Sequence, residues 1–262
     1  MNAFDFDFAG AYRDRLAALG RRPKPPEHWD ARAARADRNI FDSAYAREFV
    51  ARMNLSGCRT LLDVGCGSGT IGLSVAAQLD HVYGLDYSPG MLASFAGHAR
   101  ARGVAHATPI LRAWEDDWAD VPACDVVVAS RSTALPDLEA AVQKLNAKAL
   151  VRVYLTYPAD GHFIPEGVRR VLGPKGHGLP DFLYVIGILR NLGWQPTLDY
   201  LPGENRLANC ATFEQFLARI TEAIGPLNED DVARLASYFN NPDARRLEDQ
   251  MRWALASWEV RR

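Results

Sequence analysis

The chain has 262 residues, 48% of them hydrophobic, which allows one large α/β domain with a sizeable buried core. Thirty Lys and Arg against 32 Asp and Glu leave a net charge near −2, so no overall positive field favours a polyanionic nucleic acid as partner. The four cysteines, Cys58, Cys66, Cys124 and Cys210, lie far apart with no CxxC pair and no histidine at ligand spacing, so neither a metal site nor a disulfide framework is expected.

The amino terminus, "MNAFDFDFAGAYRDRL", is acidic and aromatic rather than basic then apolar, and no apolar run approaches membrane-spanning length. A cytoplasmic protein away from membranes is the expectation. Two helical stretches on either side of the Pro-rich "RRPKPPEHWD" form an arm over residues 1–42. "SAYAREFVARM" has apolar residues at helical spacing behind Ser43 as N-cap, and leads into the first strand. From Thr60, short β-rich runs alternate with helical stretches: "TLLDVG", "TIGLSVAAQL", "HVYGLD", "SPGMLASFAGHARARG", "ATPILRA", "DVVVAS", "LPDLEAAVQKLN" and "KALVRVYLT". Such alternation calls for a mostly parallel sheet covered by helices. A Gly/Pro-rich connector follows, "YPADGHFIPEGVRRVLGPKGHG", then a helix over "PDFLYVIGILRNLG" stopped by Gly193 and a strand over "WQPTLDYL". Residues 212–239 read as two amphipathic helices, and "MRWALASWEV" has strand composition.

The chemistry concentrates in "LLDVGCGSGT", where a strand runs into Gly65, Gly67 and Gly69. Glycines between a strand and a helix let a ligand touch the backbone, because no Cβ intervenes. A dinucleotide turn would read GxGxxG, with a diphosphate on the helix N-terminus. Here Thr70 holds the place of the third glycine, and Asp63 would add negative charge beside a diphosphate. Both features suit a ligand with a positively charged end.

With this spacing "DVGCGSG" resembles the main signature of class I S-adenosylmethionine-dependent methyltransferases, and "GLDYSPGML" stands where that family has its second motif. The resemblance implies a doubly wound, mostly parallel seven-stranded sheet of order 3-2-1-4-5-7-6, the last strand antiparallel, with helices on both faces. It divides the chain into the arm (1–42), a Rossmann-like core (43–200), a helical insertion before the last strand (201–250) and a C-terminal strand (251–262). It implies cofactor contacts from Asp63, Gly65, Cys66, Gly67 and Gly69, ribose binding by Asp86 and adenine packing by Tyr87 near Met91. Trp114 and Glu115 match the adenine-edge segment, and Ser130 ends the strand beneath the reacting methyl group. Arg131, Tyr157 and His162 are substrate candidates; no residue is assigned as catalytic.

The implied activity is methyl transfer from S-adenosylmethionine, giving S-adenosylhomocysteine, to a small-molecule acceptor. "SRST" stands where base-amino methyltransferases carry an "NPPY"-like tetrapeptide, so no nucleic-acid partner is expected. Two other classes stay open on the residues: a nicotinamide-dependent oxidoreductase, and a protein that binds S-adenosylmethionine without turning it over. Individual residues have bland readings too. Trp114 and Trp118 equally suit the core, Asp86 could cap the next helix although Ser88 already offers that, Arg131 could pair with Asp116, and His162 could be a solvated loop residue.

Overall fold

The structure, a computed structural model, describes residues 6–20, 23–34, 40–161, 164–173, 180–203, 207, 210–242 and 251–260. The first strand, β1 (Thr60–Val64), pairs in parallel with β2 (His81–Asp86) on one side and β4 (Cys124–Ala129) on the other. β3 (Ala107–Leu111) extends the sheet beyond β2, and β5 (Ala149–Pro158) extends it beyond β4, both in parallel. β7 (Arg252–Glu259) then lies antiparallel between β5 and β6 (Thr197–Pro202). The seven strands run in the order 3-2-1-4-5-7-6, with β7 alone reversed, as the family resemblance implies.

Central strands read as nearly unbroken apolar runs because helices cover both faces. On one face α1 (Phe8–Ala18), α6 (Leu138–Lys148) and α8 (Phe182–Asn191) pack over Leu62, Val64, Val127, Val153 and Leu155. On the other, α3 (Ala44–Ala51) and α5 (Pro89–Ala101) pack with Leu61, Val82, Val126 and Val128. Ser43 caps α3 as its position suggests, its hydroxyl accepting the Ala46 N–H. α2 (Pro26–Ala33) lies outside α5.

Two segments differ from the sequence expectation. The helix expected over "TIGLSVAAQL" is a single α-turn, α4 (Gly72–Val75), followed by a 3₁₀ turn over Ala76–Gln78: the positive φ of Gly69 delays its start, and Val75, at φ −107° and ψ 0°, ends the α-helical run. The Gly/Pro-rich connector contains a helix, α7 (Glu166–Leu172), which starts behind Pro165 and ends at Gly173. Ile164, Val168 and Leu172 pack with α9 (Phe213–Ile224) and α10 (Glu229–Phe239) in a third apolar cluster. α7 therefore belongs by packing to the helical insertion rather than to the sheet.

Candidate active site

The strand order reverses between β1 and β4, and open parallel sheets bind ligands in the crevice such a reversal leaves at the carboxyl ends of the strands. The turn after β1 fills that position. Gly65 and Gly67 have φ of 65° and 52°, where an L side chain is strained. A Cβ on Gly65 would lie 2.3 Å from the Ser132 Cβ, so this glycine lets the loop after β4 close on the turn. At Gly67 the nearest group is the Met91 sulfur at 3.7 Å, which leaves a bare backbone face.

Asp63 Oδ2 accepts the Gly72 N–H at 2.9 Å, tying β1 to the start of α4. The residue is only 1% exposed, yet its Oδ1 has no hydrogen-bond partner. Burial raises its pKa to about 7; the Asp86 carboxylate adds to the rise, while the Gly72 N–H and the Arg131 guanidinium oppose it. A buried carboxylate oxygen with nothing to accept is costly and fits a cationic donor supplied by a ligand.

Asp86 ends β2 and fastens the turn from the other side. Its Oδ2 accepts the Gly67 N–H and its Oδ1 the Ser88 N–H, both at 2.9 Å. Each oxygen keeps a second lone pair, the capacity that a ribose diol requires. Burial raises its pKa above the usual carboxylate value, against those backbone donors. Ser88 caps α5, as the sequence suggests, so Asp86 is not needed for that.

Around these carboxylates the structure gathers most of the other candidates. The Tyr87 hydroxyl donates to the Lys24 carbonyl at 2.9 Å, and the Glu115 charge is close enough to help raise its pKa after burial has done so. Met91 sits in the first turn of α5, its sulfur 3.7 Å from the Ser68 hydroxyl. Burial holds the Cys66 thiol protonated, with its pKa well above the ordinary value, so it fills space in the turn and is no nucleophile. Trp114 leans on Trp118 at 5.5 Å between centroids, at the margin of the core, while Glu115 beside it is exposed.

At the end of β4, Ser130 Oγ lies 2.7 Å from the Tyr45 hydroxyl, which in turn lies 2.9 Å from Thr156 Oγ1. The Arg131 guanidinium carbon lies over the Tyr45 ring, 4.5 Å from its centroid. It does not pair with Asp116, whose carboxylate instead accepts the Ala113 N–H at 2.7 Å. Tyr157 is 1% exposed and lies behind Tyr12, the two hydroxyls 3.3 Å apart. His162 lies outside the described residues. Among the described residues no group of three or more His, Cys, Asp and Glu could hold a metal ion.

Sequence reasoning passed over Tyr45, Thr156 and Asp30. Tyr45 reads as one of several apolar positions on α3. Asp30 reads as an ordinary helix acid, but its Oδ1 accepts the Ser88 hydroxyl at 2.6 Å and the Gly90 N–H at 2.8 Å, pinning the arm to α5 beside the cofactor turn. A contact across some sixty residues of chain leaves no local signal.

Known proteins share parts of this sequence and its fold. The family described as "Methyltransferase domain" matches residues 61–149, from β1 to the start of β5. An uncharacterized protein of Haemophilus influenzae is 35% identical over 267 residues, spanning 100% of both chains. The 18S rRNA (guanine(1575)-N(7))-methyltransferase of Saccharomyces cerevisiae is 51% identical over 43 residues, which is 16% of each chain. A solved SAM-dependent methyltransferase from Thiobacillus denitrificans, in complex with S-adenosyl-L-homocysteine, superposes with a TM-score of 0.56 at 16% identity, covering 92% of this chain and 100% of that one.

Proposed function

Because this chain belongs to the class I S-adenosylmethionine-dependent methyltransferase family, we propose that the acceptor of its methyl group is a small molecule held between the end of β4 and the N-terminal arm. When bound, S-adenosylmethionine supplies an electrophilic methyl group on a sulfonium. The chain's own residues hold and orient. In this reading Asp63 and the bare backbone at Gly67 take the methionine end, Asp86 takes the ribose, and Tyr87, Met91 and Glu115 border the adenine.

The observation that carries the acceptor class is the closure of the sheet end by the arm. Tyr12 on α1 is fully buried, its hydroxyl donating to the Leu135 carbonyl at 2.9 Å and meeting Tyr157. α2 is pinned on the other side of the crevice by Asp30, and Lys24 beside it reaches Glu222 of α9 at 3.4 Å. A site roofed in this way suits a ligand of modest size, and the near-neutral charge of the chain gives a nucleic acid no long-range attraction. The match to the yeast rRNA enzyme covers too little of either chain to carry its acceptor over.

The hydroxyls of Ser130, Tyr45 and Thr156 suit orientation of an acceptor rather than removal of its proton. Burial raises the Tyr45 pKa above its ordinary value, against the Arg131 charge and the Ser130 and Thr156 contacts, so the phenol stays neutral. Positioning and exclusion of water are then the main contributions of the protein to the rate. The test supplies methyl-labelled S-adenosylmethionine with a metabolite extract, total RNA and total protein in separate reactions. Label in a low-molecular-mass product supports the reading. Label confined to RNA or protein overturns it.

A further inference from the structure

We propose that Arg131 selects the methyl acceptor, and that this acceptor carries a carboxylate or phosphate group which the guanidinium binds. The assignment rests on the acceptor being a small molecule and narrows it to the anions.

Arg131 stands two residues beyond β4, at the carboxyl end of the sheet where the strand order reverses. Its neighbour closes on the turn after β1: the Ser132 hydroxyl donates to the Val64 carbonyl at 2.8 Å, and a Cβ on Gly65 would lie 2.3 Å from the Ser132 Cβ. Arg131 therefore borders the crevice. Its guanidinium carbon lies 4.5 Å from the centroid of the Tyr45 ring, and the Tyr45 hydroxyl is held by Ser130 and Thr156 at 2.7 and 2.9 Å. Burial raises the pKa of both Asp63 and Tyr45, and the Arg131 charge opposes both rises, as a group facing the same space must.

Inside the protein this charge has no use. Arg131 is exposed, makes no ion pair among the described residues, and has one hydrogen bond, which runs from its backbone N–H. The N–H groups of the guanidinium are left for water or a ligand.

The backbone holds the arginine at some cost. Its φ of 59° makes it the one non-glycine among the described residues in the left-handed region. Hydrogen bonds on either side of it fix that conformation, the Arg131 N–H donating to Thr156 Oγ1 at 2.9 Å and the Thr133 hydroxyl to the Thr156 carbonyl at 2.7 Å. A glycine would adopt the same backbone without strain, so stability does not explain the arginine. A need for its charge does.

A guanidinium binds carboxylate or phosphate through two parallel N–H···O bonds, and an aromatic ring against it restricts the directions from which an anion can approach. A cationic acceptor would be repelled, and a neutral one would gain little.

The test divides a cell metabolite extract by anion exchange into retained and unretained small molecules, and supplies each with the full chain and methyl-labelled S-adenosylmethionine, beside total RNA and total protein. Label should enter the retained fraction. Label confined to the unretained fraction would overturn the anionic class and leave the small-molecule reading standing, whereas label confined to RNA or protein would overturn both. Phosphatase treatment of the retained fraction separates the two sources of charge: lost acceptor activity identifies a phosphate, surviving activity a carboxylate, and each supports the assignment. With the retained fraction as acceptor, Arg131→Met should raise the amount needed for half-maximal rate roughly 10- to 100-fold, while S-adenosylhomocysteine affinity in calorimetry stays within about threefold. Arg131→Lys keeps the charge without the planar fork and should fall between the two. Arg131→Gly removes the strain with the side chain, so it should melt no lower than the unaltered protein and still lose as much for the acceptor as Arg131→Met. An unchanged acceptor requirement in Arg131→Met and Arg131→Gly, or a loss of S-adenosylhomocysteine affinity as large as the loss for the acceptor, would overturn the assignment.

Discussion

In the turn after β1, the carboxylates accept backbone N–H groups from the same half of the sheet. Asp63 holds Gly72, and Asp86 holds Gly67 and Ser88. In the arm the contacts run to distant parts of the chain: Tyr12 reaches Leu135 after β4, Asp30 reaches Ser88 and Gly90 after β2, and Lys24 reaches Glu222 of α9. The first region is organised before any ligand arrives, because its bonds are part of the strand ends. The second is a layer held by contacts between residues far apart in the chain. Cofactor binding should therefore depend steeply on the first and weakly on the second.

The largest expected effect is from Gly69→Val. A Cβ there would lie 2.6 Å from Leu73 and 2.8 Å from Phe95, at a φ of 89°. Overpacking and strain together should cost about 3 kcal/mol or more, lowering the melting temperature of the free protein and abolishing S-adenosylhomocysteine binding in calorimetry. Gly67→Val differs in kind. The space beside it is open, but its φ of 52° still strains a branched residue, so binding should be lost with a smaller fall in melting temperature, on the order of 1–3 kcal/mol.

Asp86→Ala removes the acceptor of two backbone N–H groups as well as the proposed ribose contact. Loss of charged hydrogen bonds at ~1.5–3 kcal/mol each should weaken S-adenosylhomocysteine by one to two orders of magnitude. Because the same carboxylate fastens the turn, the free protein should also melt at a lower temperature. Affinity equal to that of the unaltered protein would contradict both roles.

The pH dependence is smaller and has a definite sign. Asp63 has a folded pKa of about 7 against an ordinary 3.8, so between those values the folded protein holds a proton that the unfolded chain has lost. Stability of the free protein should accordingly fall as pH rises from about 4 to about 7, with the full cost present above that. A ligand ammonium requires the carboxylate, so S-adenosylhomocysteine affinity should rise about tenfold per unit up to pH 7 and level off by pH 8. In Asp63→Asn the profile should be flat across this range. A slope that survives the substitution would trace the titration to another group.

Asp30→Ala should give the smallest change in the crevice. It removes the acceptor of the Ser88 hydroxyl and the Gly90 N–H, and with it the arm's anchor on α5, worth about 1–2 kcal/mol in melting experiments. Affinity for S-adenosylhomocysteine should stay within about threefold. A loss as large as that of Asp86→Ala would erase the distinction between the two regions.

The same contrast governs what could be read from the residues. The alternation of strands and helices, the turn and the position of Asp86 were legible because glycine at fixed spacing, a strand-ending acid and alternating apolar runs are local patterns, while the strand order came only with the family resemblance. The pairing of Asp63 with Gly72 left no such trace, nor did the clamp of Asp30 on α5. Tyr157 reads from the sequence as a substrate candidate at the end of β5, but Tyr12 arrives from 145 residues away to pack against it, which no local pattern signals. α7 was hidden by the glycines and prolines around it, since its stability comes from α9 and α10 rather than from its own seven residues.

Hydrogen exchange with and without S-adenosylhomocysteine tests the separation of the two regions most directly. Protection should rise over 63–72 and 84–91, where the turn and its carboxylates meet the ligand, while α7, α9 and α10 exchange at unchanged rates. Equal gains in protection across the turn and the helical insertion would contradict the account.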